Sequence, residues 1–373
     1  MKHIVAVIVL LVLLGCSQTK NEKDKTYTAG FKIIQTKDLS RIYKPNTDTS
    51  NYLHFRPLDI DIWYPATASE KDSTLLLRNI LGLLEQRANY YTASAAGNGI
   101  TGQIAQYFCD ALKCSDSVSV LNFKTQTCKD ATPAAGKFPL VIYLAAFNGM
   151  SYENFMLFET LAKKGFVVVS VSSIGRFPGD MTMKNEDLME QVKDALATLD
   201  NLKQDANIDF TKIGIVGYSW GGLAGSILAS KIPTAACLIS LDGSEFHHYG
   251  TAKEENADFD SIRYSHDFNT MQIAAPYLRL ESSPPVNTDK EDSVYNFSEK
   301  LSGSKQLFKI DSAQHEDFGC MPFIVKTSGN CKNSDYYKTI STLTMSFLED
   351  HLKNKNTFSQ TVAEEMNRTI HKK

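Results

Sequence analysis

Four absences bound what this chain can be. It has no basic patch: 39 Lys and Arg stand against 42 Asp and Glu, for a formal charge of −3. Nothing in that balance points to nucleic acid, and no such partner is expected. It has no Cys-x-x-Cys and no histidine pattern with metal-ligand spacing, so no metal site is expected, and no cofactor motif stands out. It has no internal repeat, which argues against a solenoid. Its unbroken apolar run, Ile4 to Leu14, is too short to span a bilayer as a helix.

What that run does fit is a signal. Lys2 supplies a positive start, and Leu13-Leu14-Gly15-Cys16 resembles a bacterial lipobox, in which cleavage precedes an acylated cysteine. Residues 1–15 are therefore read as a lipoprotein signal, Cys16 as the lipidated residue, and 16–28 as a polar tether. Losing Lys2 takes the charge to about −4. The expected location is the bacterial cell envelope, held to a membrane through Cys16. Six cysteines remain, an even number compatible with disulfides in an exported protein. Cys320 and Cys331 bracket a short Gly/Pro-bearing stretch and are the expected pair. One bridge is expected among Cys109, Cys114 and Cys128, and Cys237 lies in an apolar run suited to a buried thiol.

With 43% hydrophobic residues the chain can bury a sizeable core. Thr28 to Ile34 and Leu58 to Tyr64 read as strands. Residues 69–128 read as a mostly helical insertion, with a flexible loop or lid from Ala93 to Gly102. Strand and helix patterns then alternate: strands at Phe138 to Leu144, Phe166 to Val171, Ile213 to Val216, Ala235 to Leu241, Pro276 to Leu280 and Gln306 to Ile310. Helices are expected at Tyr152 to Lys164, Asp187 to Leu202, Leu223 to Ala229 and around Met345 to Leu352. Gly243 to Asn269 reads as irregular and 354–373 as a tail. Fully apolar strands alternating with helices imply an α/β fold, a mostly parallel central sheet covered on both faces, over 29–353.

One stretch carries chemistry. Lys212-Ile213-Gly214-Ile215-Val216-Gly217-Tyr218-Ser219-Trp220-Gly221-Gly222 is a β-branched run feeding Gly-x-Ser-x-Gly, followed by small and apolar residues at helical spacing. This is the sequence form of a nucleophile elbow, and Ser219 is the candidate nucleophile. A serine hydroxyl needs a base, and the base an orienting acid. Among the downstream histidines, His247, His248 and His266 fall in the polar stretch and read as solvated. His351 falls in the closing helix and His371 in the tail. His315 follows the last strand of the core, where an elbow serine meets its base. Asp242 and Glu281 both end apolar strands on the same rim, and Asp242 is favoured because Gly243 allows a sharp exit turn. Asp311 is a weaker third choice. For the oxyanion, the backbone N–H of Trp220 and one from Ala145-Ala146-Phe147-Asn148-Gly149, taken as Phe147, are the candidate donors.

These residues resemble the α/β-hydrolase superfamily, and within it the plasma-type platelet-activating-factor acetylhydrolases and the dienelactone hydrolases. The acid after the strand that follows the elbow fits the former, while an acid one strand later, as at Glu281, fits the latter. The family often carries His-Gly in the oxyanion loop, where this chain has Ala145-Ala146. The resemblance implies a serine esterase of short-acyl, acetyl-type esters on lipids or carbohydrates, acting on a small-molecule ester. A peptidase or amidase on the same fold, or a lipoprotein that only binds a ligand, are the other readings.

Overall fold

Every residue of Phe138–Leu144 is buried, although neighbouring side chains point to opposite faces. Leu140, Ile142 and Leu144 enter one core, and Val141 and Tyr143 enter another. A strand apolar on both faces requires cover on both, and the chain supplies it. The computed structural model describes residues 25–69, 73–92, 99–177, 180–247, 253–283, 296–366 and 370–372. The expected signal, Cys16, most of the expected lid and His248 lie outside them.

The chain opens with a long hairpin, β1 (Thr28–Ile42) and β2 (Phe55–Ala66). Just before it, the Tyr27 N–H donates to Lys163 O at 2.9 Å and its ring lies edge-on to Phe138 at 5.3 Å. The insertion follows: β3 (Thr74–Leu76), α1 (Leu77–Thr92), α2 (Ile100–Leu112), α3 (Ser117–Leu121) and β4 (Lys124–Lys129). Its two strands extend the sheet beyond β1. The core then runs β5 (Phe138–Leu144), α4 (Phe155–Lys163), β6 (Val167–Val171), α5 (Asn185–Leu202), β7 (Ile208–Tyr218), α6 (Trp220–Lys231) and β8 (Ala235–Leu241). After it come α7 (Lys253–Arg263), α8 (His266–Thr270), β9 (Tyr277–Ser283), β10 (Lys305–Asp311), α9 (Met321–Ser328), α10 (Tyr336–Lys353), α11 (Phe358–Met366) and β11 (Ile370–Lys372).

The sheet order is β11-β10-β9-β8-β7-β5-β6-β2-β1-β4-β3. From β10 to β6 all neighbours are parallel, so the expected α/β fold is the one observed. From β5 the chain steps outward to β6, then returns to place β7 on the other side of β5. The crevice above β5 and β7 is thus the topological switch point, where open α/β sheets hold ligands.

Three expectations change. The segment 354–373 is not a loose tail: Phe358 is buried against Phe347 and Phe308, and β11 pairs antiparallel with β10. Residues 243–269 are not irregular throughout, since α7 and α8 bury Phe259, Ile262 and Phe268. The disulfide joins Cys114 to Cys331, not Cys320 to Cys331. The reason is α9, which separates the expected partners. Cys320 is buried at the start of this helix, its thiol facing Glu153 O at 3.0 Å, while Cys331 emerges beyond its end beside the end of α2. Nor does a bridge form among Cys109, Cys114 and Cys128: Cys109, Cys128, Cys237 and Cys320 are buried and lie outside any disulfide among the described residues. Burial pushes the Cys237 thiol up to about 12.

Candidate active site

The elbow is built by backbone approach. A Cβ on Gly217 would overlap the carbonyl of Gly221, and one on Gly221 would overlap the carbonyl of Leu144. Only glycine lets β7 turn so tightly into α6, against the end of β5. Ser219 takes the strain at φ 55° and ψ −121°. Its N–H donates to Leu241 O at 2.9 Å and its carbonyl accepts from Gly222 and Ser244, so the conformation is held from three sides.

Asp242 directly follows the neighbouring strand β8, also with positive φ, at 46°. Its N–H donates to Leu280 O at 2.7 Å, and its Oδ1 accepts from Ser282 N–H at 2.8 Å. Its Oδ2 lies 2.7 Å from Nδ1 of His315, whose Nε2 lies 3.0 Å from Ser219 Oγ. With the ring proton on Nδ1 toward Asp242, Nε2 accepts from the serine hydroxyl. Burial would raise the Asp242 carboxyl, but the His315 hydrogen bond and charge, Arg279 and the Ser282 N–H together hold it below the usual carboxylate range. The arrangement can pass the Ser219 proton to His315 and balance the imidazolium that results.

The other candidates are occupied elsewhere. Glu281 pairs with Arg279 Nε at 3.2 Å, and Asp311 pairs with His371 at 2.6 Å. His247 is buried rather than solvated, and His266 is exposed at the start of α8.

In the loop after β5, Ala145 N–H donates to Val171 O, Ala146 N–H to Glu153, Asn148 N–H to Met181 and Gly149 N–H to Ala146 O. Among the described residues the N–H groups of Phe147 and Trp220 donate to no protein acceptor. Their rings meet edge-on at 5.5 Å. The two candidate oxyanion donors therefore flank the switch point, on the elbow and on the loop that packs against it.

The model of the X-Pro dipeptidyl-peptidase family (S15) matches residues 57–257, more than half of the chain. The chain belongs to the S15 family. It is accordingly a serine hydrolase of α/β-hydrolase type. The family match includes Ser219 and Asp242 and ends before His315. Among solved structures, a ferulic acid esterase from Streptomyces cinnamoneus is similar over 88% of this chain and 91% of that one, with 17% identity and a TM-score of 0.59. At that identity the likeness speaks for the fold alone. In all, 967 solved chains match, too many for the fold to select a reaction. No curated protein matches.

Three further residues shape the site of this S15-family member, and none stands out in the sequence. Tyr218 donates its hydroxyl to His315 O at 2.9 Å, and its ring lies 5.0 Å from the imidazole. Arg279 is fully buried between Glu245 and Glu281, and donates to the carbonyl of Gly243 at 2.9 Å, directly after Asp242. Glu153 lies under the oxyanion loop: its Oε1 accepts from Ala146 N–H at 2.9 Å and from Tyr143 OH at 2.8 Å. Asn154 donates both to Tyr143 and to Phe318 O, so the network joins the oxyanion loop to the loop of His315. Burial pushes Glu153 up to about 8, with the Ala146 and Tyr143 bonds opposing it.

Proposed function

We propose that the chain is a serine esterase working through an acyl-enzyme. In this reading Ser219 is the nucleophile, His315 the general base and then acid, and Asp242 the residue that orients the imidazole. The N–H groups of Trp220 and Phe147 receive the oxyanion. The observation that carries the reading is the continuous chain Ser219–His315–Asp242 at 3.0 and 2.7 Å. An acetyl-type acyl group on a lipid or carbohydrate follows only from the sequence resemblance to acetylhydrolases.

The family name raises peptide cleavage as the second reading. An enzyme that removes amino-terminal dipeptides must hold an α-ammonium, which calls for an unpaired carboxylate. Asp59 and Asp194 line the cavity next to the oxyanion loop, and both are engaged: Asp59 with Arg87, Asp194 with Arg41 and Arg56. That pairing favours an ester over a free peptide amine.

Fluorophosphonate labelling combined with p-nitrophenyl esters and an X-Pro p-nitroanilide tests both. The wild type should label, Ser219→Ala should not, and esters should be turned over in preference to the anilide. Equal labelling of the alanine variant would sink the nucleophile assignment. Preferential anilide cleavage would move the chain to the peptidases.

The reading also places the protein at a membrane of the bacterial envelope through lipid on Cys16. No helix among the described residues is long and apolar enough to cross a membrane. Wild-type protein made in a bacterial host should partition into a detergent phase and Cys16→Ser should not. Equal partitioning overturns the anchor.

A further inference from the structure

A cavity of about 320 Å³ lies on the catalytic rim, beyond the oxyanion loop from the elbow. Asn148, Gly149 and Met150, directly after Phe147, form one wall. The loop after β6, the start of β2 and helix α1 of the insertion form the others. Resting on the esterase reading, we propose that this cavity is the acyl pocket, and that it takes an uncharged, apolar acyl group of roughly ten heavy atoms rather than acetyl alone.

Three observations carry this. The first is direction. The base must deliver its proton to the leaving alcohol, so the alcohol lies on the side of His315. His315 and Asp242 come from the loops after β10 and β8, on one side of β7. The cavity lies on the other side, above β6 and β2. With neighbouring strands about 4.8 Å apart, β6 is roughly 10 Å from β7. An acyl chain on Ser219 that extends away from the base runs in this direction, and acetyl is too short to cover the distance.

The second is chemistry. Leu58, Leu84, Met150 and Ile174 give the cavity apolar walls, with Tyr91 and Tyr152 adding ring faces. The charges that reach it cancel in place. Arg87 donates to Asp61 at 2.6 Å and to Ser151 Oγ at 2.8 Å, with Asp59 at 3.5 Å. Asp194 takes Arg41 and Arg56 at 2.5 and 2.6 Å. A charged acyl group would have to break one of these pairs, whereas an uncharged one need not.

The third is size. A 150 Å³ apolar cavity accommodates benzene, so about twice that volume suits roughly ten to twelve heavy atoms. Alkyl and aryl acyl groups share this chemistry, and a substrate panel separates them.

The test is kcat/KM for p-nitrophenyl acetate, butyrate, octanoate, decanoate, cinnamate and hemisuccinate on the full chain. The wild type should prefer octanoate, decanoate or cinnamate to acetate, and reject hemisuccinate. Ala88→Trp on α1 and Ile174→Trp after β6 fill the cavity from two elements. Each should lower the ratio of long-acyl or cinnamoyl to acetyl kcat/KM at least about tenfold, the equivalent of about two buried methylenes. An unchanged ratio in both variants overturns the proposal. So does a wild-type optimum at acetate, which decides the matter even if both variants fail to fold. If the wild type labels with fluorophosphonate but hydrolyses no ester, the esterase reading has failed instead.

Discussion

Replacing Asp242 with asparagine should cut kcat on an activated ester by about 10⁴-fold. The cause is the number of acceptors. Asp242 offers two oxygens, one to Ser282 N–H at 2.8 Å and one to His315 Nδ1 at 2.7 Å. Asparagine has one. If that oxygen stays with Ser282, the amide NH₂ faces Nδ1 and drives the ring proton to Nε2. There it points at Ser219, and the imidazole can no longer accept the hydroxyl proton. Glu281→Gln is the control with the opposite signature. Its carboxylate belongs to the buried pair with Arg279, so its loss should lower the melting temperature while the folded enzyme keeps its turnover. Loss of turnover in Glu281→Gln with retention in Asp242→Asn would reverse the assignment.

Glu153 carries the second large effect, on stability. Glu153→Ala should destabilise the fold by about 3–5 kcal/mol, because it leaves a cavity and strands the Ala146 N–H and the Tyr143 hydroxyl. The wild type should also lose stability as pH rises. The unfolded glutamate ionises near 4.5, while the folded one keeps its proton to about 8. Between those values the folded chain binds the extra proton, so stability is full below about 4.5 and falls until about 8. The span corresponds to a loss on the order of 5 kcal/mol. Glu159, raised by burial to about 7, adds in the same sense. Glu153→Gln keeps the neutral shape and should flatten the slope in urea midpoints measured across this range. A slope identical to that of the wild type would show that Glu153 does not titrate there.

The parts of the site legible in the sequence are those fixed by local rules. Gly217 and Gly221 mark the elbow because their geometry excludes any side chain, and His315 stands out because it follows the last core strand. The spacing of Arg279 and Glu281 bears on the choice between Asp242 and Glu281. Arg279 and Glu281 are two apart on a strand, so they share a face and can pair. The covalent link was not legible, since Cys114 and Cys331 are 217 residues apart and meet only through packing of α2 on α9. Pro322 at the start of α9 is a helix signal within the stretch that Cys320 and Cys331 bracket. Phe358 and Val362, four apart, likewise marked α11 within a supposed tail. Glu153 offered no signal, because a glutamate in an amphipathic segment usually faces water.

The contacts of Tyr27 fix where the chain enters the fold. Its partners, Lys163 at the end of α4 and Phe138 at the start of β5, mark the pole of the molecule where the parallel strands begin. Ser219 lies at the opposite pole, where they end. Seven residues of β5 separate the two by roughly 20 Å. A lipid on Cys16, as proposed, would therefore be tethered to the pole where the parallel strands begin, and the catalytic crevice would open at the far pole from the point of attachment.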